Sequence, residues 1–267
     1  MKRFAIRLLD VLTVSRLVLL AGLVLLTGCS GGGDGESTTP PPAAEAPIDP
    51  NLTVPVQTAF ANIVNNGFNQ PFTISGSVDN STQNNPVPPT PISGSGQFIL
   101  GIGEPDALCG FQVSRAVQLV TGNTIANGVS TPFATTSRVY YRGDNTVVAT
   151  DSAGQAFLFL PVSFPATVRA GDAGPLGAGT EIDSNCNQSS FGATSTGAYS
   201  VASDRANSLL VTFVRNQNNS FSGSSNQAST VYRIDTSGNV SLVSVTATRS
   251  FLGSVFETLA FTFREGS

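Results

Sequence analysis

The chain has 267 residues, and its 13 basic and 17 acidic side chains give a formal net charge of −4. Beyond residue 28 the arginines are scattered singly, so the chain lacks the basic clusters that contact phosphates, which excludes nucleic acid as a partner. The chain also has no histidine, which removes the commonest general base and the Ser-His-Asp and Cys-His arrangements of many hydrolases. We therefore expect no enzymatic activity, no catalytic residue, no bound metal and no cofactor.

The amino terminus combines a basic flank with a short apolar run over residues 17–26. The flank contains four basic side chains, those of Lys2, Arg3, Arg7 and Arg16. The apolar run is too short to cross a bilayer, which needs roughly 20 apolar residues, and it has the dimensions of a signal-peptide core. Residues 1–28 are therefore assigned as a signal peptide.

The apolar run ends in Leu26-Thr27-Gly28-Cys29, with a small residue directly before a cysteine. This ending resembles the lipobox of bacterial lipoproteins. The resemblance implies cleavage between Gly28 and Cys29 and acylation of Cys29 on its sulfur and its new amino group, with palmitate among the acyl chains. Because two or more acyl chains hold a protein firmly to a bilayer, the membrane is the expected partner through a non-spanning anchor. An ordinary secretory signal followed by a chance cysteine is the alternative.

Ser30 directly follows the acylated cysteine. In the lipoprotein class an aspartate at this position commonly retains the protein in the inner membrane, whereas serine is compatible with export. The resemblance therefore implies a location in the cell envelope, at the outer membrane of a Gram-negative bacterium.

Residues 29–52 are rich in glycine and proline and hold almost no apolar side chains. Such a segment cannot bury enough apolar surface to offset the entropy of ordering it. The composition therefore predicts a flexible, lipidated tether that carries one folded domain over residues 53–267.

One helix is predicted, over residues 55–66. Its apolar side chains recur at the spacing that places them on one helix face, and they are Val56, Ala59, Phe60, Ile63 and Val64. We expect Thr53 to cap this helix, Pro55 to occupy its first turn and Gly67 to end it. The apolar stripe is expected to dock on the core of the domain.

From Phe72 onward, apolar side chains alternate with polar ones, which is typical of half-buried strands. The predicted strands span residues 72–78, 97–102, 111–120, 135–142, 146–150, 156–160, 195–201, 208–215, 229–234, 240–248 and 255–263. Residues 161–190 are rich in proline, glycine and aspartate and are predicted to be irregular, apart from a short strand near Val168.

About ten strands joined by short turns indicate an all-β fold, a single large antiparallel domain with one short N-terminal helix. Two arrangements of the sheet are consistent with this pattern. One is a barrel or half-barrel with the helix packed at its mouth, and the other is a two-sheet sandwich.

Cys109 and Cys186 are the two cysteines that remain once Cys29 is acylated. An even pair of cysteines in an exported protein favours a disulfide, and both lie in turn-rich stretches. We therefore predict a Cys109–Cys186 disulfide, and two separate thiols are the alternative.

Two charges interrupt otherwise apolar strand faces. Arg115 shares a face with Val113, and Glu257 shares one with Leu259 and Phe261. Because an unpaired buried charge is costly, we expect these residues at strand ends, at a bulge or in a mutual ion pair. The alternative is a polar spot inside an apolar cavity, which would orient an amphiphilic ligand.

Glu181, Asp183 and Asn185 offer oxygen ligands at alternate positions, as the start of a calcium-binding loop does. Such a loop needs glycine next and glutamate at its far end, where this chain has Cys186 and Gly192. We interpret the segment as a solvated polar loop.

Together these features predict a lipid-anchored protein of the cell envelope that serves as a non-enzymatic structural or binding module. A protein and an apolar ligand both stay open as its further partner. The alternative function is a carrier that holds a lipid or other apolar ligand inside a barrel. A hydrolase built on paired carboxylates is a remote alternative, because aspartate and glutamate suffice for that chemistry.

Overall fold

The computed structural model describes residues 49–79, 81, 87–152, 155–159, 165–183, 185–188, 192–219, 223–251 and 254–264. The predicted signal peptide, the lipobox with Gly28 and Cys29, and most of the predicted tether lie outside these residues. The described residues form one helix and fifteen strands.

The helix, α1, spans Val56–Asn66. The strands are β1 (Thr53–Val54), β2 (Phe68–Val78), β3 (Thr90–Leu100), β4 (Glu104–Leu108), β5 (Phe111–Ala126), β6 (Val129–Tyr141), β7 (Val147–Ser152), β8 (Gln155–Phe159), β9 (Val168–Arg169), β10 (Ala173–Ile182), β11 (Thr194–Arg205), β12 (Ser208–Asn219), β13 (Ser224–Asp235), β14 (Val240–Phe251) and β15 (Ser254–Phe263). Most strands extend beyond their predicted bounds, because the alternation fades where polar residues occupy both faces.

Twelve strands form one closed antiparallel barrel. Their order is β3-β2-β15-β14-β13-β12-β11-β10-β8-β7-β6-β5, and the pairing of β3 with β5 closes the ring. Strand β4 continues from β3 after a bend and pairs with the first part of β5. Strands β1 and β9 pair with each other in a separate two-stranded sheet. The fold is therefore all-β as predicted, a full barrel of twelve strands and not about ten, and the sandwich alternative is wrong.

Strand β10 lies in the segment that was predicted to be irregular, and this prediction is wrong. Three of its inward positions are glycines, Gly174, Gly177 and Gly179, so large apolar side chains do not mark the alternation. Gly174 faces the Tyr199 ring, where an added Cβ would lie 2.9 Å from the nearest ring atom. A bulge between Pro175 and Gly177 shifts the register once more. Small side chains make room for large neighbours here and hide the strand pattern.

The apolar stripe of α1 is buried in the barrel core, as its spacing predicts. Val56, Ala59, Phe60, Ile63 and Val64 are all at most 5 % exposed. The Phe60 ring centroid lies 5.6 Å from that of Phe213 on β12. This contact joins α1 to the barrel wall.

The ends of α1 follow the predictions in part. Gly67 ends the helix with φ of +70°, and its N–H donates to the Ile63 carbonyl at 3.0 Å. Thr53 does not cap the helix, because it pairs with Arg169 in the β1–β9 sheet, and Pro55 precedes the first helical residue without a side-chain cap.

The inner wall of the barrel is largely apolar and contains a cluster of phenylalanines. Phe72 contacts both Phe261 and Phe263, with ring centroids 5.4 and 5.6 Å apart. Phe98 contacts Phe68 and Phe263 in the same edge-to-face manner. These rings fill the barrel between β2, β3 and β15.

The outer wall is polar over most strands, although β5 exposes Val117 and Ile125 there, at 45 and 42 %. Between the buried residues of each strand lie exposed hydroxyl side chains, including Thr73, Ser75, Ser93, Ser95, Thr136, Thr196, Ser200, Thr246 and Thr262. This alternation is that of an antiparallel sheet with one face in water. The described residues include no helix with the length and apolar character needed to cross a membrane.

The predicted disulfide is confirmed. Cys109 and Cys186 are bonded, with their Cα atoms 5.6 Å apart. Cys109 lies in the turn between β4 and β5, and Cys186 lies in the loop after β10. The bond fastens the β4–β5 hairpin beside a small cluster on the outer wall, where Val113, Tyr140, Val148 and Ala149 are buried against Leu108 and Leu158.

Candidate binding site

Helix α1 lies at one end of the barrel. The Asn62 side chain donates to the carbonyl of Gly238 at 3.1 Å, in the β13–β14 turn. The carbonyl of Val64 accepts from the N–H of Gly103 at 2.7 Å, in the bend between β3 and β4. We call the opposite end, where β2, β5, β10, β12 and β14 finish, the distal end.

A row of polar side chains crosses the inner wall towards the distal end. Five neighbouring strands contribute one residue each, and these residues are directly paired in register: Glu257, Arg249, Asn226, Gln217 and Ser195. Directly opposite residues share one face of a sheet. Their alternation partners Leu259, Ala247 and Ala228 are buried in the core, which places the polar row on the inner face.

Arg249 and Glu257 form an ion pair at one end of the polar row. The Arg249 Nη1 donates to Glu257 Oε2 at 3.1 Å, with side-chain exposures of 23 and 10 %. The guanidinium also lies 5.1 Å from the centre of the Phe256 ring. Two charges at the inner wall therefore balance each other.

Arg215 lies next to the polar row, one inward position closer to α1. On its two sides the paired residues are Gly197 and Ala228, both small, and Leu176 lies against Gly197. Burial lowers the pKa of the Arg215 guanidinium to about 10, and the nearby Tyr232 phenol opposes this shift. A half-buried cation thus faces the barrel interior beside the polar row.

Among the described residues, two buried hydroxyls of the inner wall have no hydrogen-bond partner. They are the Oγ of Ser195, whose residue is 3 % exposed, and the phenol of Tyr141, which is fully buried. Burial, with a smaller effect of Tyr232, raises the pKa of Tyr141 well above its ordinary value. An unsatisfied buried polar group costs about 1–3 kcal/mol, so the Ser195 hydroxyl would gain from a polar ligand atom, whereas Tyr141 lies at the α1 end of β6, away from the polar row.

Within the described part of the chain, the inward-facing carboxylates do not form the close pair that glycoside hydrolysis requires. Glu257 is held by Arg249, and Glu181 Oε2 accepts from the N–H of Ala193 at 2.9 Å. Their strands, β15 and β10, are separated by four others in the sheet.

Asp183 has a local structural role in the loop after β10. Its Oδ1 accepts from the backbone N–H groups of Asn185 and Asn187 at 2.8 and 2.9 Å. The hydrogen bonds from the Asn187 and Asn185 backbone lower the pKa of the carboxyl. Within the described part of the chain, no cluster of three or more histidine, cysteine, aspartate and glutamate side chains could hold a metal ion.

The structure separates the two charges that the sequence singled out. Arg115 lies on the outer wall, where its guanidinium is 3.4 Å from Asp106 and 3.7 Å from Glu104, both on β4. Glu257 lies on the inner wall and pairs with Arg249. Each charge has its own partner, so the mutual ion pair is not formed, and the hypothesis of an inward polar spot applies to Glu257 alone.

Most residues of the candidate site give no clear signal in the sequence. Arg215 continues the alternation of Leu209, Val211 and Phe213, so its inward position could have been inferred from the pattern. Gln217 and Asn226 gave no such signal, since a polar residue near a strand end suits either face.

No protein-family model and no curated protein sequence matches this chain. Among solved structures, a porin-like protein from Bacteroides uniformis aligns with a TM-score of 0.24 and 7 % identity, over 73 % of this chain and 96 % of its own length. A similarity this low supports no conclusion about this protein.

Proposed function

We propose that the protein is a lipid-anchored module of the bacterial cell envelope that binds a ligand at the distal end of its barrel without transforming it chemically. The polar row carries this proposal. Polar side chains on the inner wall of an apolar barrel are costly to bury, and a few polar groups in an apolar site are what orients a bound ligand.

The polarity of the two walls supports a barrel that stands in water. Membrane-spanning barrels direct an apolar band outward and a polar surface inward. Here Thr73, Ser75 and Ser93 are exposed on the outer wall, whereas Phe72 and Ile74 are buried inside. This arrangement fits attachment through an acylated Cys29 at the outer membrane rather than through the barrel itself.

The path of the chain supports a particular orientation of the barrel. The described residues begin at Asp49, Leu52 packs partly against the core, and β1 pairs with β9 beside α1. A tether that begins at Cys29 therefore joins the barrel at the α1 end. The distal end with its polar row then faces away from the point of attachment.

A carrier of an apolar ligand is the second candidate. The inward phenylalanines favour it, because an amphiphile could place its polar head at the polar row and its tail towards this apolar wall. A carrier and a binding module for polar ligands differ in whether the bound molecule is extractable into organic solvent.

The test is to purify the full-length protein, extract bound molecules with organic solvent and with acid, and identify them by mass spectrometry. The variant Gln217→Ala changes the polar row, and Asn218→Ala changes the next residue of β12, which is exposed on the outer wall. We expect a bound molecule in the native protein and in Asn218→Ala and a reduced amount in Gln217→Ala. Equal loss in both variants, or no bound molecule in the native protein, contradicts the proposal.

A further inference from the structure

We infer that Arg215 and the polar row bind an oxyanion, the phosphate or carboxylate group of a ligand, with the Arg215 guanidinium and the Ser195 hydroxyl as the main donors. This inference rests on the proposed function, because it names the chemical class that the same inner-wall site takes.

The two donors are close enough to act on one ligand group. Gly197 is the residue paired with Arg215, and Ser195 is the next inward residue of β11. Diagonal neighbours of this kind lie about 7–8 Å apart, which is within the reach of an arginine side chain. A guanidinium presents several N–H donors in a planar fork that matches the oxygens of a carboxylate or phosphate.

The charges around the site favour an anion over a cation. The Glu257 carboxylate is paired with Arg249, and Glu181, whose Oε2 accepts from the backbone N–H of Ala193, lies on β10, with β11 between it and the strand of Arg215. Burial already disfavours the charged form of Arg215. A bound oxyanion would offset this cost, whereas a bound cation would increase it.

The buried hydroxyl of Ser195 also indicates a ligand at this part of the inner wall. Its hydroxyl is buried and lacks a hydrogen-bond partner, although a hydroxyl can both donate and accept. Gln217, paired with Ser195 in the polar row, carries an amide that can donate to the same ligand oxygens. Hydroxyl, amide and guanidinium donors thus line one stretch of inner wall.

The experiment is isothermal titration calorimetry on the purified full-length protein in a nonionic detergent. The probes are inorganic phosphate, hexyl phosphate, hexanoate and, as the uncharged control, hexanol. Arg215→Gln removes the charge, and Ser195→Ala removes the hydroxyl. Arg138→Gln is the matched control, because Arg138 is an exposed arginine of the outer wall that pairs with Asp151.

We expect an anionic probe to bind the native protein. Its affinity should fall at least about tenfold in Arg215→Gln and about threefold in Ser195→Ala, because hydrogen bonds from a charged group are stronger than those from a neutral hydroxyl. Arg138→Gln should leave the affinity unchanged. Binding of inorganic phosphate alone identifies a free oxyanion as the ligand, and tighter binding of the hexyl probes identifies the headgroup of an amphiphile.

Hexanol binding as tightly as the anions, with no effect of Arg215→Gln, overturns the inference and leaves the proposed function standing. Failure of all four probes to bind, in a protein from which nothing can be extracted, overturns both. Thermal unfolding of each variant shows whether it is folded. If Arg215→Gln does not fold, Ser195→Ala decides, because removing an unpartnered hydroxyl should not destabilise the barrel.

Discussion

At the scale of single residues, Asp204 shows how one carboxylate organises a turn. It lies near the end of β11, where its carboxylate accepts from Arg233 Nη2 at 3.0 Å and from the Ser208 hydroxyl at 2.7 Å. The side chains of Asp204 and Arg233 are only 11 and 16 % exposed. Burial alone would raise the pKa of Asp204, but the hydrogen bonds from Arg233 and Ser208 outweigh it, and the pKa lies below its ordinary value.

The depressed pKa of Asp204 predicts a pH-dependent contribution to stability. A carboxyl whose pKa is lower in the folded state stabilises the fold above the unfolded-state pKa, and the contribution is lost as the pH falls through the folded-state value. From pH 7 to pH 3, the free energy of unfolding should therefore fall more steeply for the native protein than for Asp204→Asn, as measured by urea unfolding. An unchanged slope in Asp204→Asn would show that the hydrogen bonds do not shift the carboxyl.

At the scale of elements, α1 fixes one end of the barrel by packing. Its Phe60 is 4 % exposed and contacts Phe213, whose ring in turn lies 5.3 Å from that of Tyr232. The helix has no side-chain cap at its amino end. Most of its stability therefore comes from the buried stripe.

Phe60→Ala should lower the free energy of unfolding by about 3–5 kcal/mol, the usual range for truncation of a buried phenylalanine. Chemical denaturation measures the change. Asn65→Ala, at an exposed position of the same helix, should change it by no more than about 0.5 kcal/mol. A loss below about 1 kcal/mol for Phe60→Ala would mean that the helix is not firmly packed.

The Cys109–Cys186 bond joins two elements that are 77 residues apart. In the chain-entropy model, closing a loop of this length stabilises the fold by roughly 4–5 kcal/mol, as an upper estimate. The double variant Cys109→Ser/Cys186→Ser should therefore melt well below the native protein, and a reducing agent should lower only the native melting temperature. Recovery of two free thiols from native protein unfolded without reductant would refute the bond.

Local patterns predicted the elements whose inward residues are large and apolar. Phe72 and Ile74 identified β2, and the five-residue stripe identified α1. They failed where the inward residues are small or polar, as at Gly174 in β10. They also could not give the closure of the barrel, because the pairing of β3 with β5 depends on backbone hydrogen bonds and strand tilt, which no side-chain pattern reports.

At the scale of the whole molecule, the two ends of the barrel have different roles in the proposed function. In that proposal the predicted tether joins the barrel at the α1 end, whereas the distal end carries the polar row. Anchoring at Cys29 is the condition on which this orientation depends.

Cys29→Ser should prevent acylation and leave the unprocessed precursor in the cell. Cell fractionation with metabolic labelling by a fatty acid measures both effects. Ser30→Ala, next to the predicted acylation site, should still be acylated and processed. Efficient conversion of the Cys29→Ser variant to a soluble mature form would indicate an ordinary secretory signal instead of a lipobox.

The free edge of strand β4 affects whether copies of this protein aggregate at high concentration. Among the described strands, β4 ends the order of the barrel sheet and pairs with β5 alone. An unpaired strand edge is a template for intermolecular strand addition. Pro105 is the second residue of β4 and has no N–H to donate, and it is flanked by Glu104 and Asp106, the two carboxylates that contact Arg115. With Cys109 bonded just beyond its end, β4 is held to its own barrel, and its charged, proline-interrupted edge discourages aggregation.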